Sequence, residues 1–240
     1  GPLSTRAGAP VVLQTSWNTV PGTAATSTTV GNGPSLVVID SGLERRATFD
    51  LRSGVTRLET RNRRVVEART ATHTIAARHF VLALGSDSVP LARGVGLRLP
   101  VYPIKGYSMT LDIAQAAHHA APRINVTDTA RKVVFARIGS RLRVAGMAEL
   151  VGHDRSVRAQ AIDSLHHSTL ALFPALGASA VQQPWAGLRP ATPSGLPIVG
   201  VMPQGPDNLI VNTGHGALGL TLAFGTAQQV AMSLQKLPAP

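Results

Sequence analysis

Residues 185–219 read WAGLRPATPSGLPIVGVMPQGPDNLIVNTGHGALG and combine apolar runs with clusters of glycine and proline. The runs at 195–201 and 208–212 are short and apolar, which is typical of buried strands. Apolar residues at helical spacing then follow through residues 214–235. The stretch therefore predicts two strands and a helix, separated by tight turns.

An arginine and a glycine-rich turn in this stretch indicate a site for an anion. The turn Gly214-His215-Gly216 opens the predicted helix, where backbone N–H groups and the positive end of the helix dipole favour negative charge. Arg189 follows Gly187 at a strand end and could bind a carboxylate bidentately. An alternative stays open from the residues alone: the glycines serve turns and Arg189 is a surface charge.

The rest of the chain predicts mainly strands. A buried strand is expected at 79–83 (HFVLA) and another at 35–40 (SLVVID), and the segment 132–147 has the pattern of a hairpin. Asp154 is a candidate N-cap for a helix over 155–176. This order excludes an all-α protein and shows no regular βαβ series, so the fold class is α/β or mixed α+β. Further strand candidates lie at 48–58, 64–70, 72–76, 99–111 and 183–190.

The N-terminal region has weak structural signals. Residues 1–33 are rich in Thr, Ser, Gly, Ala and Pro and predict loop or weakly ordered strand, and Gly1-Pro2 resembles a cloning remnant. The apolar core of a signal peptide is absent, and no apolar run reaches the ~18 residues of a membrane span. The lack of cysteine excludes disulfides and thiolate chemistry and fits a reducing cytoplasm.

The positive charge of the chain raises the question whether it binds nucleic acid. The 240 residues carry 23 Lys+Arg against 12 Asp+Glu, a formal net charge of +11. A basic chain suggests an anionic partner such as nucleic acid or a membrane surface. The arginines are scattered, however, and aromatic residues are only 4% of the chain, so platforms for stacking bases are scarce. Nucleic-acid binding is therefore disfavoured but kept as an alternative.

Common catalytic and cofactor motifs are missing from the sequence. Gly31-Asn32-Gly33 begins a G-x-G-x-x-G pattern, but Leu36 occupies its last position and a strand candidate follows. The chain contains no Gly-Lys-Ser/Thr and no G-x-S-x-G. The histidine pairs at 118–119 and 166–167 are adjacent and cannot both face one ion, so no metal site is predicted.

Three stretches, taken together and in order, resemble one family. They are FVLALGSDS at 80–88, LPVYPIKGYSMT at 99–110, and the stretch at 185–219. They resemble the flavin-dependent D-amino acid oxidase superfamily, and within it the bacterial D-amino acid dehydrogenases of the small-subunit type. The resemblance extends over residues 49–234.

The resemblance implies an FAD-binding domain interleaved with a substrate domain built on a mixed sheet flanked by helices. The FAD-binding portion would comprise residues 48–89 and 185–240, and the substrate domain residues 90–184. Residues 1–47 would form a leader of uncertain structure. Family members begin with a strand–G-x-G-x-x-G–helix unit, and the N-terminal region of this sequence does not show one, so the chain looks like a C-terminal, truncated portion.

The resemblance also implies site residues. Arg189 matches the carboxylate-binding arginine of the family, Tyr107 would help to hold the substrate, and His215 lies in the turn expected near the flavin. The residues implied to bind the cofactor are Val55, Ala83, Leu84, Gly85, Gly187, Gly214, His215, Gly216, Leu218, Gly219, Leu220 and Thr221.

The function implied by the resemblance is oxidative deamination of an amino acid, expected to be a D-amino acid, by hydride transfer from Cα to N5 of FAD. A second chain carrying the G-x-G-x-x-G unit is an expected partner, and a cytoplasmic location extends to the inner face of the membrane. Two alternatives stay open: a non-catalytic remnant or partner-dependent subunit, and an arginine-rich nucleic-acid binder.

Overall fold

The computed structural model describes residues 11–15, 34–40, 46–50, 54–116, 120–177 and 179–237, the first three for their strands alone. The chain divides into two compact units. The first comprises residues 1–102 and 190–240, and the second residues 103–189. None of the helices described is long and apolar enough to span a bilayer.

The described elements are fourteen strands and three α-helices. The strands are β1 (Val11–Thr15), β2 (Pro34–Asp40), β3 (Arg46–Asp50), β4 (Val55–Arg61), β5 (Arg64–Thr70), β6 (Thr74–Ala76), β7 (Phe80–Ala83), β8 (Tyr102–Asp112), β9 (Val126–Asp128), β10 (Val133–Ile138), β11 (Arg141–Glu149), β12 (Val181–Ala191), β13 (Ile198–Val201) and β14 (Leu209–Thr213). The helices are α1 (Ser88–Gly94), α2 (Ala159–Leu172) and α3 (Gly219–Lys236).

The first unit is built on a six-stranded mixed sheet in the order β13-β14-β7-β1-β2-β3. Strand β7 runs parallel to both β1 and β14, and the other pairs are antiparallel. Phe80, Val81 and Leu82 are almost fully buried, which confirms the continuous apolar run as a strand covered on both faces. Helix α3 packs against β13 and β14.

Three strands of this sheet, β1, β2 and β3, come from residues 11–50. Strand β2 confirms the prediction at 35–40. Strand β1 lies within residues 1–33, for which the sequence predicts loop or weakly ordered strand, because five residues of VVLQT are too short to show a period. It pairs with both β2 and β7.

Both long helices begin later than the sequence predicts. Helix α2 begins at Ala159 rather than after Asp154, because the Asp154 carboxylate accepts a hydrogen bond from Lys105 Nζ instead of capping the helix. Helix α3 begins at Gly219 rather than at Gly214, because Gly214 and Gly216 have φ of +80° and +56°. Left-handed residues cannot continue a right-handed helix.

A small sheet, in the order β4-β5-β6, lies beside the large one in the first unit. Its hairpin turns at Asn62 and Arg63, both with positive φ, as a two-residue turn requires. The buried Asn208 ties the hairpin to the chain before β14. Its Nδ2 donates to Val65 O and Arg78 O, and its Oδ1 accepts from Val65 N, each at 2.8 Å.

The second unit is a five-stranded sheet in the order β12-β8-β11-β10-β9. The predicted hairpin is confirmed as β10 and β11, which pair from Val133↔Gly146 to Ile138↔Arg141. Neighbours β8 and β11, and β9 and β10, are also antiparallel. The core of this unit includes side chains of β8 and α2, among them Met109, Leu111 and Leu165.

We expect Asn208→Ala to lower the free energy of unfolding by about 3 kcal/mol, because it removes the hydrogen bonds of the side chain to Arg78 O and to the buried N–H and C=O of Val65. Asp207→Ala is the control, since that side chain is exposed, and it should change the stability by less than about 0.5 kcal/mol. Urea titration of both variants makes the comparison. Equal losses would contradict the assigned role of Asn208.

Candidate functional site

Arg189 lies in β12, with its guanidinium directly over Gly106 of β8. Any side chain at position 106 would overlap the guanidinium. Its Nη1 donates to Met147 O at 3.0 Å. Partial burial lowers the pKa of Arg189, although an arginine stays protonated in proteins. Among the residues that the structure describes, no carboxylate pairs with this cation.

A bulge in β11 supplies the acceptor for Arg189. The pairing of β11 with β8 shifts between Gly146 and Glu149, and Met147 has a φ of +67°. Bulges re-aim backbone and side chains next to functional sites. A positive φ is uncommon for a residue other than glycine, and here it accompanies the turn of the Met147 carbonyl toward the guanidinium.

A second arginine occupies the same face of the sheet. Side chains two residues apart on a strand share a face, so Gly106, Ser108 and Thr110 of β8 lie in one row. Arg143 of β11 donates from Nη2 to Ser108 Oγ at 2.6 Å and from Nη1 to Thr110 Oγ1 at 2.8 Å. We call these five residues the arginine face: Gly106, Ser108, Thr110, Arg143 and Arg189.

Arg143 was not predicted from the sequence, although a signal for its position was present. Arg143 alternates with the apolar residues Leu142 and Val144, which places a charge on the face opposite the core. The small or hydroxyl residues at 106, 108 and 110 alternate in the same way. The two patterns become meaningful only when β8 and β11 are known to be neighbours.

Tyr107 points to the opposite face from Arg189. Its ring is fully buried in the core beneath α2, and its hydroxyl donates to Glu149 Oε2 at 2.9 Å and accepts from Arg158 Nε at 3.1 Å. Arg158 and Glu149 also form an ion pair. The structure therefore does not bring Tyr107 to Arg189, and the predicted substrate-holding role does not fit this placement, because adjacent strand residues face opposite ways.

A buried lysine stabilises the strand from the Tyr107 side. Lys105 has no exposed side-chain surface, and its Nζ donates to Asp154 Oδ2 at 2.7 Å and lies 5.1 Å from the Tyr107 ring centre. Burial lowers the pKa of Lys105, but the hydrogen bonds to Asp154 and Tyr107 outweigh it and raise that pKa overall. The hydrogen bond from Lys105 in turn lowers the pKa of Asp154 to about 2.

Gly187 has a packing role in β12. Any side chain there would overlap the indole of Trp185, which lies against the glycine. The neighbouring Ala186 points into the core of the unit. The predicted contact of Gly187 with the cofactor stays a prediction.

In the first unit, the predicted cofactor residues gather at one edge of the large sheet. The parallel strands β7 and β14 end there, and open α/β sheets bind ligands outside the carboxyl ends of their strands. Thr213 Oγ1 donates to Gly85 O at 2.8 Å, which joins the loops after the two strands. Ala83 and Leu84 precede Gly85, and the buried Leu84 donates its N–H to Ser88 Oγ at 3.0 Å.

The glycine turn is held in place by contacts of its own. A Cβ at Gly214 would lie 2.6 Å from Thr192 Cγ2, so this position excludes a side chain. Gly216 N donates to Pro190 O at 2.8 Å. The expectation that the turn exposes its N–H groups is therefore wrong for Gly216, whose donor is already used.

The first backbone N–H groups of α3 are not used in hydrogen bonds within the helix. The first hydrogen bond within the helix is from Leu222 N to Leu218 O at 2.9 Å. The N–H groups of residues 219–221 precede it and have no partner inside the helix. Leu218 and Leu220 beside them are exposed.

His215 packs toward α3. Its Nε2 lies 3.4 Å from Thr226 Oγ1, and Thr226 is buried against the helix backbone. Burial lowers the pKa of His215, so the ring is neutral at pH 7. This contact joins the turn to the helix, and the predicted place of His215 near the flavin stays a prediction.

Two buried polar atoms near this edge have no partner among the described residues: Asn212 Oδ1 in β14 and Ser86 Oγ after β7. Buried polar atoms are normally satisfied, so each is a candidate for a ligand contact. Val55, expected to bind the cofactor, has its side chain buried in the core of the first unit, and its contact with the cofactor stays a prediction.

Within the described ranges, no three His, Asp or Glu side chains are placed to hold a metal ion. His166 and His167 lie in α2. The pair at 118–119 lies outside the described residues.

Comparison with known proteins gives a consistent result. The model of the FAD dependent oxidoreductase family, abbreviated DAO, matches residues 40–232. A D-amino acid dehydrogenase 2 from Ralstonia nicotianae is 45% identical over 185 residues, which is 75% of this chain and 43% of that protein. A D-amino acid dehydrogenase from Xanthobacter autotrophicus is 49% identical over 152 residues, 63% of this chain and 35% of that protein.

Solved structures show the same relationship. Glycine oxidase from Geobacillus kaustophilus aligns with a TM-score of 0.69 and 26% identity over 78% of this chain and 49% of that one. Iminodiacetate oxidase from Chelativorans sp. BNC1 aligns with a TM-score of 0.67 and 26% identity, over 78% and 50%. The chain thus spans half or less of the length of the relatives that it matches.

The Lys105–Asp154 pair predicts a dependence of stability on pH. The pKa of Asp154 is about 2 in the folded chain, below its ordinary value of 3.8, so the stability it contributes is present above pH 3.8 and is lost as the pH falls toward 2. We expect Asp154→Asn to lower the free energy of unfolding near neutral pH and to flatten its fall between about pH 5 and about pH 3. Urea titrations measure both effects. Asp163→Asn on α2 is the control and should keep the slope of the unmodified protein; an unchanged slope in Asp154→Asn would contradict the pairing.

Proposed function

The chain belongs to the FAD-dependent oxidoreductase family, and on that premise we propose that it is the substrate-binding and flavin-contacting portion of an enzyme that oxidatively deaminates a D-amino acid. The observation that carries the proposal is the charged, half-buried Arg189, which lacks a carboxylate partner among the described residues. The named relatives, D-amino acid dehydrogenases, support the choice of substrate class.

Arg189 would bind the α-carboxylate of the substrate. Its bond to Met147 O and its contact with Gly106 fix the guanidinium before a ligand arrives. A guanidinium offers five N–H donors in a plane, so a carboxylate can still be bound by two of them. Fixing the carboxylate restricts the position of the adjoining Cα–H bond, which is the bond that the reaction breaks.

The residues at the carboxyl edge of the first unit fit the flavin end of FAD. The free N–H groups of residues 219–221 suit an electron-rich edge, and the unpartnered Asn212 Oδ1 and Ser86 Oγ are an acceptor and a donor for polar ring atoms. FAD, when bound, supplies the acceptor for the hydride leaving Cα. The chain's own contribution would be to hold negative charge at the helix start, with the neutral His215 bracing the turn.

The pyrophosphate end of FAD needs the N-terminal strand–G-x-G-x-x-G–helix unit of the family, and residues 1–47 of this sequence do not contain that motif. We propose that the remaining length of the family fold, in the same or a second chain, supplies it. Helix α3 offers a surface for such a segment, since Leu220 and Phe224 are 84% and 88% exposed and Met232 is 45% exposed on its outer side. Exposed apolar patches of this kind mark interaction sites.

We also propose a cytoplasmic location that includes the inner face of the membrane. The net charge of +11 favours anionic headgroups. Sedimentation with anionic vesicles but not with neutral ones would support this association, and equal recovery with both would contradict it.

We expect Arg189→Gln to lower kcat/KM for D-alanine by roughly a hundredfold or more, because two charge-assisted hydrogen bonds to the carboxylate are lost. The assay uses the chain together with a nucleotide-binding portion of a relative and checks loading by the visible flavin absorption. The matched control is Arg123→Gln, an exposed arginine of the same unit. Unchanged kcat/KM in a flavin-loaded preparation of Arg189→Gln would refute the role.

A second test leaves the arginine intact. Gly106→Ala should displace the guanidinium of Arg189 and raise KM for D-alanine about tenfold or more, whereas visible flavin absorption persists. Gly94→Ala is the control, because nothing lies within 4 Å of a side chain built there. An unchanged KM for Gly106→Ala would show that substrate binding does not depend on the contact between Arg189 and Gly106.

A further inference from the structure

Arg143 is a half-buried cation that the proposed function leaves without a role. Neither an Asp nor a Glu pairs with it in the part of the chain that the structure describes. Burying a charge without a partner is costly, so a retained cation of this kind calls for an explanation. A bound anion would provide one.

The two hydroxyls on β8 orient Arg143 and do not neutralise it. Ser108 and Thr110 are themselves buried, and each accepts one hydrogen bond from a terminal nitrogen of the guanidinium. Two of the five N–H donors are used, and three remain available. The group is therefore held in a fixed plane and can still bind an oxyanion.

The position of Arg143 relative to Arg189 restricts which anions could contact both guanidiniums at once. Arg189 covers Gly106, and Arg143 is anchored at Ser108 and Thr110, which follow on the same face of one strand. Two residues along a strand correspond to about 7 Å. The two carboxyl carbons of an acidic amino acid are roughly 4 to 5 Å apart, given carbon–carbon bonds of ~1.5 Å. Hydrogen bonds of about 2.9 Å from each end let one such molecule reach both guanidiniums.

We propose that Arg143 selects the substrate by binding the side-chain carboxylate of a dicarboxylic amino acid whose α-carboxylate is bound by Arg189. The inference rests on the proposed function and refines its substrate class. Two carboxylates would balance the two charges of the arginine face. A substrate with a neutral side chain would leave Arg143 unpaired beside a second cation.

The test is equilibrium binding of two substrate-like acids by calorimetry, glutarate and butyrate, which have similar chain lengths but carry two carboxylates and one. We expect the unmodified protein to bind glutarate at least about tenfold more tightly than butyrate. Arg143→Gln should abolish that preference and leave the affinity for butyrate within about twofold. Arg143→Lys keeps the charge but loses the planar fork, so it should retain only part of the preference.

The outcomes separate this inference from the proposed function. Equal affinity for the two acids in the unmodified protein, or equal weakening of both in Arg143→Gln, would overturn the role of Arg143. Binding of butyrate that survives Arg189→Gln, or the absence of binding by either acid, would overturn the proposed function and the inference with it. A thermal unfolding transition confirms that each variant is folded before its affinities are measured. If Arg143→Gln is not folded, the affinities of Arg143→Lys are compared with those of the unmodified protein instead.

Discussion

The proposed chemistry depends on the contact between the Arg189 guanidinium and Gly106, whose lack of a side chain leaves room for the guanidinium. Arg189 needs an empty position on the neighbouring strand and a backbone acceptor, and Gly106 and the bulged Met147 provide them. A charge held this way is oriented but not neutralised. It therefore remains able to attract a carboxylate, which supports the proposed role of Arg189 in substrate binding.

Successive side chains of β8 point to opposite faces of the sheet, and the two faces carry different kinds of residue. Lys105 and Tyr107 point toward α2 and form a buried network with Asp154, Glu149 and Arg158. The intervening residues form the arginine face on the other side. A single strand thus carries the buried network on one face and the proposed ligand-binding residues on the other, which is the arrangement expected of a preorganised site.

The sequence was sufficient to predict strand β7 and the β10–β11 hairpin, because continuous apolar runs and turn signals are local features. The role of Arg189 in carboxylate binding, inferred from the resemblance of the surrounding motif, stays a prediction. The sequence alone did not show which face of the sheet Tyr107 lies on, or that Arg143 shares a face with Arg189, because this depends on which strands are neighbours. The late start of α3 also depends on non-local contacts, since Pro190 holds Gly216.

Arg189 is proposed as the carboxylate-binding group, and a crystal structure of the protein with a bound carboxylic acid analogue of the substrate tests this most directly. We expect a carboxylate within hydrogen-bond distance of the Arg189 guanidinium, with Met147 O still accepting from the same side chain. A carboxylate bound elsewhere, with no contact to Arg189, would contradict it.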